Sequence, residues 1–135
     1  MDSTPDTVSA RGADSGTSIE QIQVLAPGSG TPVVPEVNDY AAVTEGWREV
    51  EHRVRLSREG SVAGAWEGEP GSVRLPDWPY DEVCVIQAGR VAIEDAAGGR
   101  REFGPGAAFL VPAGFDGWWH TLEPTRKIFV GVAGR

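Results

Sequence analysis

From residue 47 onward the chain consists of short apolar runs separated by glycine and proline. Such runs predict β-strands, and nothing in this region has the length and period of a long helix. The sequence Ala96-Ala97-Gly98-Gly99 predicts a hairpin, because glycine tolerates a positive φ. Many short strands joined by such turns indicate an all-β sandwich or closed barrel. We predict strands at about 48–56, 62–67, 72–75, 82–87, 90–94, 100–103, 108–111, 117–123 and 126–132.

The N-terminal segment has a different composition. Residues 1–18 are mostly Asp, Ser, Thr, Ala and Gly, with too few apolar groups to offset the entropy of ordering them. Proline and glycine recur over residues 26–39, although Val33 and Val34 could dock on a sheet. We therefore predict a disordered acidic arm and a Pro/Gly linker over residues 1–37, followed by one β domain over residues 38–135. A short helix over residues 38–45 is also predicted.

Charge and composition exclude some functions. The 135 residues carry 20 acidic and 12 basic side chains, a net charge of −8, which disfavours nonspecific binding of nucleic acid. No apolar stretch is long enough to cross a bilayer and no signal peptide is recognisable, so we expect no membrane partner and a cytoplasmic location. The single cysteine, Cys84, cannot form an internal disulfide, which agrees with a reducing compartment.

Two spaced motifs carry a resemblance to a known superfamily. Glu82 is followed after six residues by Gly89, and Gly106 is followed after five residues by Pro112 and, one residue later, by Gly114. These spacings match parts of the two cupin motifs, so the chain resembles a cupin. The resemblance implies a single conical β-barrel of the jelly-roll type, and it also implies a homodimer, which is plausible because edge strands need to be covered.

Further segments resemble one branch of that superfamily, the (S)-ureidoglycine aminohydrolase-type domains, which includes the ethanolamine-utilisation cupins. The similarity extends over about residues 47–132. It rests on Gly64-Ala65-Trp66-Glu67, Pro70-Gly71, Asp81-Glu82, Phe115-Asp116-Gly117-Trp118-Trp119 and Leu122-Glu123-Pro124-Thr125-Arg126-Lys127.

The metal ligands implied by this resemblance are mostly missing. Metal-dependent cupins place two histidines before the motif glutamate and a third after the second motif, but here the corresponding positions hold other residues. Of four expected ligands only Glu82 remains, whereas a transition metal is usually held by three or four protein donors. We therefore predict no His-ligated metal and no other cofactor. A divalent metal held by Glu82, Cys84 and Asp77 is the alternative.

A buried Glu82 without a metal needs another positive partner, because a lone buried charge is strongly unfavourable. Lys127 is the only lysine of the chain and lies on the last predicted strand, where the resembled branch also places lysine. We predict that Lys127, or alternatively Arg126 or Arg74, neutralises Glu82 in place of the metal. Glu82 and Lys127 are accordingly the candidate catalytic residues. The competing interpretation is that Lys127 is a solvated rim residue.

Most of the remaining candidate site residues follow from strand alternation. Asp77 would lie nearby if the loop before the strand folds inward, and Trp78 could form part of an aromatic mouth to the barrel. Alternation directs Tyr80, Glu82 and Cys84 inward from one strand, and Trp119 and Thr121 inward from another. A tryptophan in such a position could stack on a ligand or simply belong to the core, and Cys84 could equally be a small buried hydrophobe. The predicted substrate-binding residues are Asp77, Trp78, Tyr80, Cys84, Trp119 and Thr121.

Two principal functions remain open at this stage. The first is a cupin of the ureidoglycine aminohydrolase-like branch that binds a small polar metabolite in the barrel without the usual metal. The alternative is a metal-dependent enzyme of small-molecule or nitrogen metabolism, such as an aminohydrolase or isomerase, with a non-standard site around Glu82. A third hypothesis is that residues 1–37 recruit a partner and the barrel is only a scaffold.

Overall fold

The computed structural model describes residues 16–36 and 39–134. Within these ranges the chain forms antiparallel strands and a single turn of 3-10 helix, Ile19–Gln21. The strands are β1 Thr31–Val33, β2 Ala42–Val43, β3 Glu49–Arg55, β4 Val62–Gly68, β5 Gly71–Leu75, β6 Asp81–Ala88, β7 Val91–Asp95, β8 Arg100–Phe103, β9 Ala108–Val111, β10 Gly117–Thr121 and β11 Thr125–Val132.

The strands pair into two sheets whose inner faces enclose the core. One sheet has the order β1-β3-β4-β11-β6-β9, and the other has the order β2-β5-β10-β7-β8. This arrangement confirms the predicted all-β jelly-roll barrel. All nine predicted strands are confirmed, with ends that differ by no more than two residues. In the part of the chain that the structure describes, no helix is long and apolar enough to cross a membrane.

Successive side chains alternate between the buried and the exposed face of the strands, as expected. On β6, Glu82, Cys84 and Ile86 are buried, whereas the residues between them are exposed, because successive side chains of a strand point to opposite faces. The same alternation turns Lys127 and Phe129 of β11 into the barrel. The buried hydrophobic cluster between the sheets consists of Trp66, Val73, Trp78, Cys84, Ile86, Val91, Val111, Trp119 and Phe129.

The helix predicted over residues 38–45 is wrong. Ala42–Val43 instead forms β2, and Val43 pairs with Val73 of β5. Hydrogen bonds from the Ala41 amide to the Arg74 carbonyl and from the Thr44 amide to the Ser72 carbonyl hold this segment on the sheet. The tertiary pairing therefore overrides a weak local helix signal. Residues 37 and 38 lie outside the described residues.

The segment before the barrel follows the edge strand β3. Its Val33 lies in β1, which pairs with β3, so the predicted docking of this segment is confirmed for Val33, whereas Val34 is exposed. The Gln23 side chain donates to the Arg55 carbonyl at 2.7 Å and accepts from the Arg55 amide at 3.2 Å. These contacts cover an edge that would otherwise present unpaired backbone groups. Disorder was predicted for residues 1–18, of which residues 1–15 lie outside the described residues, whereas Ser18 caps the 3-10 turn Ile19–Gln21.

Gly89 of the first motif is required by both its conformation and its surroundings. It follows β6 with φ +90°, a value that side-chain-bearing residues rarely adopt. A Cβ atom at this position would overlap with the carbonyl oxygen of Pro124 and with the side chain of Thr125. Gly98 in the β7–β8 hairpin has nearly the same φ, +94°, but open space around it.

This pair of glycines gives a matched test of the motif. We expect Gly98→Ala to lower the free energy of unfolding by about 1–2 kcal/mol, because only backbone strain is added. Gly89→Ala adds steric overlap to the same strain and should lower it by at least about 2 kcal/mol more. Urea unfolding followed by fluorescence measures both values. Equal losses in the two variants would show that close packing at Gly89 is unimportant.

Candidate functional site

A cavity of about 80 Å³ opens between the two sheets, and we refer to it as the barrel cavity. Side chains from β3, β4, β5, β6, β10 and β11 converge on it, together with residues that flank β2 and β6. The lining residues are Tyr40, Trp47, Glu49, Glu51, Trp66, Val73, Leu75, Trp78, Pro79, Tyr80, Glu82, Trp119 and Lys127.

A buried ion pair belongs to this lining. The Lys127 Nζ lies 2.6 Å from Glu82 Oε2, and the two side chains are only 7% and 9% exposed. The pair forms because β11 and β6 are neighbours and both side chains point inward. The predicted pairing of Glu82 with Lys127 is therefore confirmed, and the interpretation of Lys127 as a solvated rim residue is wrong. Arg74 instead pairs with Asp116 on the partly exposed surface.

Three donors converge on the Glu82 carboxylate. Besides Lys127, the Trp78 indole donates to Oε1 at 3.0 Å and the Cys84 thiol donates to Oε2 at 3.3 Å. Burial alone would raise the pKa of Glu82, but the Lys127 charge and these hydrogen bonds outweigh it, so the pKa lies below its ordinary value. Glu82 is consequently held as an anion.

The Lys127 ammonium is held as a cation by the same surroundings. Burial would lower its pKa, but the Cys84 sulfur and the Glu82 carboxylate beside it raise the pKa above its ordinary value. The Nζ also lies 4.0 Å from the ring centroid of Trp119 and 5.0 Å from that of Trp66. Both distances suit cation–π contacts. Burial raises the pKa of the Cys84 thiol to about 12, so Cys84 is a neutral donor here.

A second carboxylate, Glu49, is surrounded by aromatic donors. The indoles of Trp47 and Trp66 donate to it at 2.7 and 2.8 Å, and the Tyr40 hydroxyl donates a further short hydrogen bond. Burial, followed by the Glu49 charge and this hydrogen bond, raises the pKa of Tyr40, which therefore remains a neutral donor.

A third carboxylate, Glu51, lies two residues further along β3 and therefore on the same inward face. Its Oε1 accepts a hydrogen bond from Arg53 Nε at 2.6 Å. Burial raises the pKa of Glu51 above its ordinary value, although Arg53 and Lys127 act in the opposite direction. Tyr80 also contributes to the lining, and burial raises the pKa of its hydroxyl, so this group remains protonated.

The structure brings together most, but not all, of the predicted substrate-binding residues. Trp78, Tyr80 and Trp119 line the cavity, whereas Cys84 lies beneath it in contact with Glu82 and Lys127. Thr121 is buried outside the lining, and its hydroxyl accepts a hydrogen bond from the Trp119 indole at 3.0 Å.

Asp77 does not join this group. It is exposed in the loop between β5 and β6, because the backbone of the next residue, Trp78, pairs with Phe115 and Gly114 and directs the indole rather than the carboxylate inward.

Sequence reasoning missed Tyr40, Trp47, Glu49 and Glu51. Alternation along β3 places Glu49 and Glu51 on one face, and this pattern could have identified them as a pair of lining residues. Because five of the seven residues of β3 are polar or charged, the strand has no apolar pattern that would mark an inward face. Only the tertiary structure shows that this polar face points into the barrel.

The residues present do not fit the transition-metal site that the resemblance implies. Across residues 16–36 and 39–134, no three His, Cys, Asp or Glu side chains are grouped so that they could hold a metal ion. His120 and His52 are engaged elsewhere, with Ser72 and Glu94 and with the Gly28 amide, respectively. The Lys127 ammonium also lies against the carboxylate that a metal would need. The alternative set of Glu82, Cys84 and Asp77 is not assembled, since Asp77 is exposed.

The fold and this site together define a small cupin barrel in which the glutamate of the first motif, Glu82, forms an ion pair with Lys127. Residues 56–129 match the EutQ-like cupin domain. Because this match spans more than half of the chain, the protein belongs to that family. A comparison with functionally curated proteins found no match.

Solved structures with the same fold include two EutQ proteins. EutQ from Clostridium difficile has a TM-score of 0.59 and 16% identity over 67% of this chain and 66% of its own, so this chain spans about two thirds of that protein. A protein described as ethanolamine utilization protein Q from Salmonella typhimurium LT2 has a TM-score of 0.61 and 13% identity over 84% and 94% of the two chains. A Rhizobium leguminosarum protein of unknown function has a TM-score of 0.57 and 16% identity over 74% of this chain and 95% of its own. At these identities the similarity concerns the fold alone.

Removal of the lysine should reveal how strongly the ion pair is coupled. We expect Lys127→Met to lower the free energy of unfolding by about 3–5 kcal/mol at neutral pH, because Glu82 is left buried and unpaired. A Glu82→Gln/Lys127→Met double variant should recover much of that loss.

The pH dependence of the unfolding free energy of Lys127→Met tests whether the loss is electrostatic. Without Lys127, burial dominates and the pKa of Glu82 rises above its ordinary value, so the variant should approach the unmodified protein in stability as the pH falls and Glu82 becomes protonated. Denaturant unfolding at several pH values, with the neighbouring exposed Arg126→Met as control, measures this effect. A loss independent of pH would contradict the electrostatic origin.

Proposed function

We propose that this protein binds a small polar metabolite in the barrel cavity, with the Glu82–Lys127 pair serving as a polar anchor where related cupins hold a metal. The observation that carries the proposal is the position of this buried pair in the lining of a small cavity whose walls include six aromatic side chains. Ligand sites in proteins typically combine apolar and aromatic walls with a few fixed polar groups.

Energetics support a functional origin of the pair. A buried ion pair contributes little stability compared with apolar side chains of similar volume, because both charges must be desolvated. The Lys127–Glu82 pair is nevertheless well satisfied, with further hydrogen bonds from Trp78 and Cys84. Charged groups held in this way in a concave site are candidates for ligand recognition.

An anchoring role suits Glu82 better than a role as general base. A general base works best with a pKa near the operating pH, whereas the pKa of Glu82 is lowered and both of its oxygens already accept hydrogen bonds. We therefore favour binding over the alternative of a metal-dependent enzyme. From the sequence resemblance we also propose that the protein belongs to the ureidoglycine aminohydrolase-like branch and is cytoplasmic.

Titration with small metabolites tests the proposal. We expect at least one compound from a panel of small alcohols, carboxylates, amines and amino acids to change the tryptophan fluorescence, because Trp47, Trp66, Trp78 and Trp119 line the cavity. Glu82→Gln and Lys127→Met should each weaken this binding about tenfold or more, the effect of losing one charge-assisted hydrogen bond.

Glu69→Gln, at an exposed turn between β4 and β5, is the matched control and should bind normally. Metal analysis of protein purified without a tag distinguishes the alternative. Near-stoichiometric manganese, iron, nickel or zinc would overturn the proposal in favour of the metal-dependent enzyme, as would binding that requires added metal.

We also propose a homodimer formed through the outer face of the six-stranded sheet. Val83, Val85, Leu110 and Val132 lie on neighbouring strands there and are 37–54% exposed. A contiguous exposed apolar surface of this kind is typical of interaction sites.

Light scattering coupled to size-exclusion chromatography tests this proposal. We expect the mass of a dimer for the unmodified protein and the mass of a monomer for Leu110→Glu, because the new carboxylate would be desolvated in the interface. Leu122→Glu, in the turn before β11, should leave the dimer intact. A monomeric unmodified protein would rule out the interface.

A further inference from the structure

We infer that the barrel cavity selects a compact organic cation, such as a small primary ammonium compound, over neutral and anionic molecules of the same size. This inference rests on the proposed function and specifies the class of ligand. Its basis is the distribution of charge, free hydrogen-bonding groups and aromatic rings around the cavity.

The first observation is a carboxylate without a cationic partner. Among the described residues, the groups that donate to Glu49 are the Tyr40 hydroxyl and the indoles of Trp47 and Trp66, all of them neutral. By contrast, Glu82 is paired with Lys127 and Glu51 with Arg53. With Lys127 and Arg53 each paired to one carboxylate, Glu49 is the lining carboxylate that has no cationic partner among the described residues. A bound cation would balance charge that the described part of the protein leaves unbalanced.

The second observation concerns unused hydrogen-bonding capacity. Arg53 binds only Oε1 of Glu51, and Oε2 accepts no hydrogen bond from the residues that the structure describes. The Tyr80 hydroxyl likewise has no hydrogen-bond partner within those residues, although Tyr80 lines the cavity. Glu51 thus offers a free acceptor oxygen, and Tyr80 offers an oxygen that can accept or donate. An ammonium group with up to three N–H donors suits this combination.

The third observation is the aromatic wall. Aromatic faces attract cations, and aromatic side chains combined with carboxylates are a common way of recognising organic ammonium groups. The protein's own Lys127 ammonium already lies 4.0 Å from the ring centroid of Trp119. The aromatic residues of the lining are Tyr40, Trp47, Trp66, Trp78, Tyr80 and Trp119.

The Lys127 charge does not reverse this preference. Glu82 neutralises it at 2.6 Å, and the Arg53 side chain is about one third exposed and does not belong to the lining. An anion would have to approach Glu49 and Glu51 in a partly desolvated site, where like charges are strongly unfavourable. The small volume of the cavity restricts the cation to a few non-hydrogen atoms.

A set of three probes of similar shape tests the inference on the unmodified protein. Propylammonium, propan-1-ol and propionate are titrated separately at constant ionic strength, and tryptophan fluorescence reports binding. We expect propylammonium to bind about tenfold or more tightly than either of the other probes, because it alone forms charge-assisted hydrogen bonds with a carboxylate.

Carboxylate variants locate the binding. Glu49→Gln and Glu51→Gln should each weaken propylammonium binding about tenfold, whereas the exposed control Glu69→Gln should not change it. Equal or tighter binding of propan-1-ol or propionate to the unmodified protein would overturn the inference, and so would propylammonium binding that is insensitive to both cavity variants. The probe comparison needs no variant, so a variant that fails to fold leaves the test intact.

Failure of this inference is distinguishable from failure of the proposed function. If propionate or propan-1-ol binds and that binding is weakened by Lys127→Met, the cavity is a ligand site with a different preference. If none of the three probes and no compound of the metabolite panel binds, both the inference and the proposed function are wrong.

Discussion

The buried contact between Lys127 and Glu82 is the interaction on which the interior of this barrel depends. It places two opposite charges among tryptophan rings and satisfies both. Either charge alone would be too unfavourable to bury, so each residue requires the other. The ammonium also lies against the carboxylate that a metal ion bound at Glu82 would need.

Beside this pair, strand β3 contributes two carboxylates to the cavity. Its inward face carries Glu49 and Glu51, which would normally be solvated on the outside of a sheet. Aromatic donors surround one carboxylate, and an arginine meets one oxygen of the other. The result is a small site with aromatic walls and excess negative charge. The proposed recognition of a small ammonium compound rests on this distribution of charge and aromatic rings.

Much of the fold could be predicted because its signals are local. Glycine and proline mark the strand ends, alternation identifies the inward residues of β6 and β10, and Gly89 meets a backbone requirement that only glycine satisfies well. The Glu82–Lys127 pair was predictable for a different reason. A buried carboxylate needs a positive partner, and the only lysine of the chain lies where the resembled branch also places a lysine.

The sequence by itself determined the all-β class, the cupin frame, the loss of the histidine ligands and the need for a cation beside Glu82. Only the tertiary structure decided that the polar strand β3 faces inward, that residues 42–43 form a strand rather than a helix, and that Asp77 stays outside the cavity. The physical reason is that these outcomes depend on which strands pair and which sheet face closes the barrel. Contacts between residues distant in sequence set both, and no local pattern encodes them.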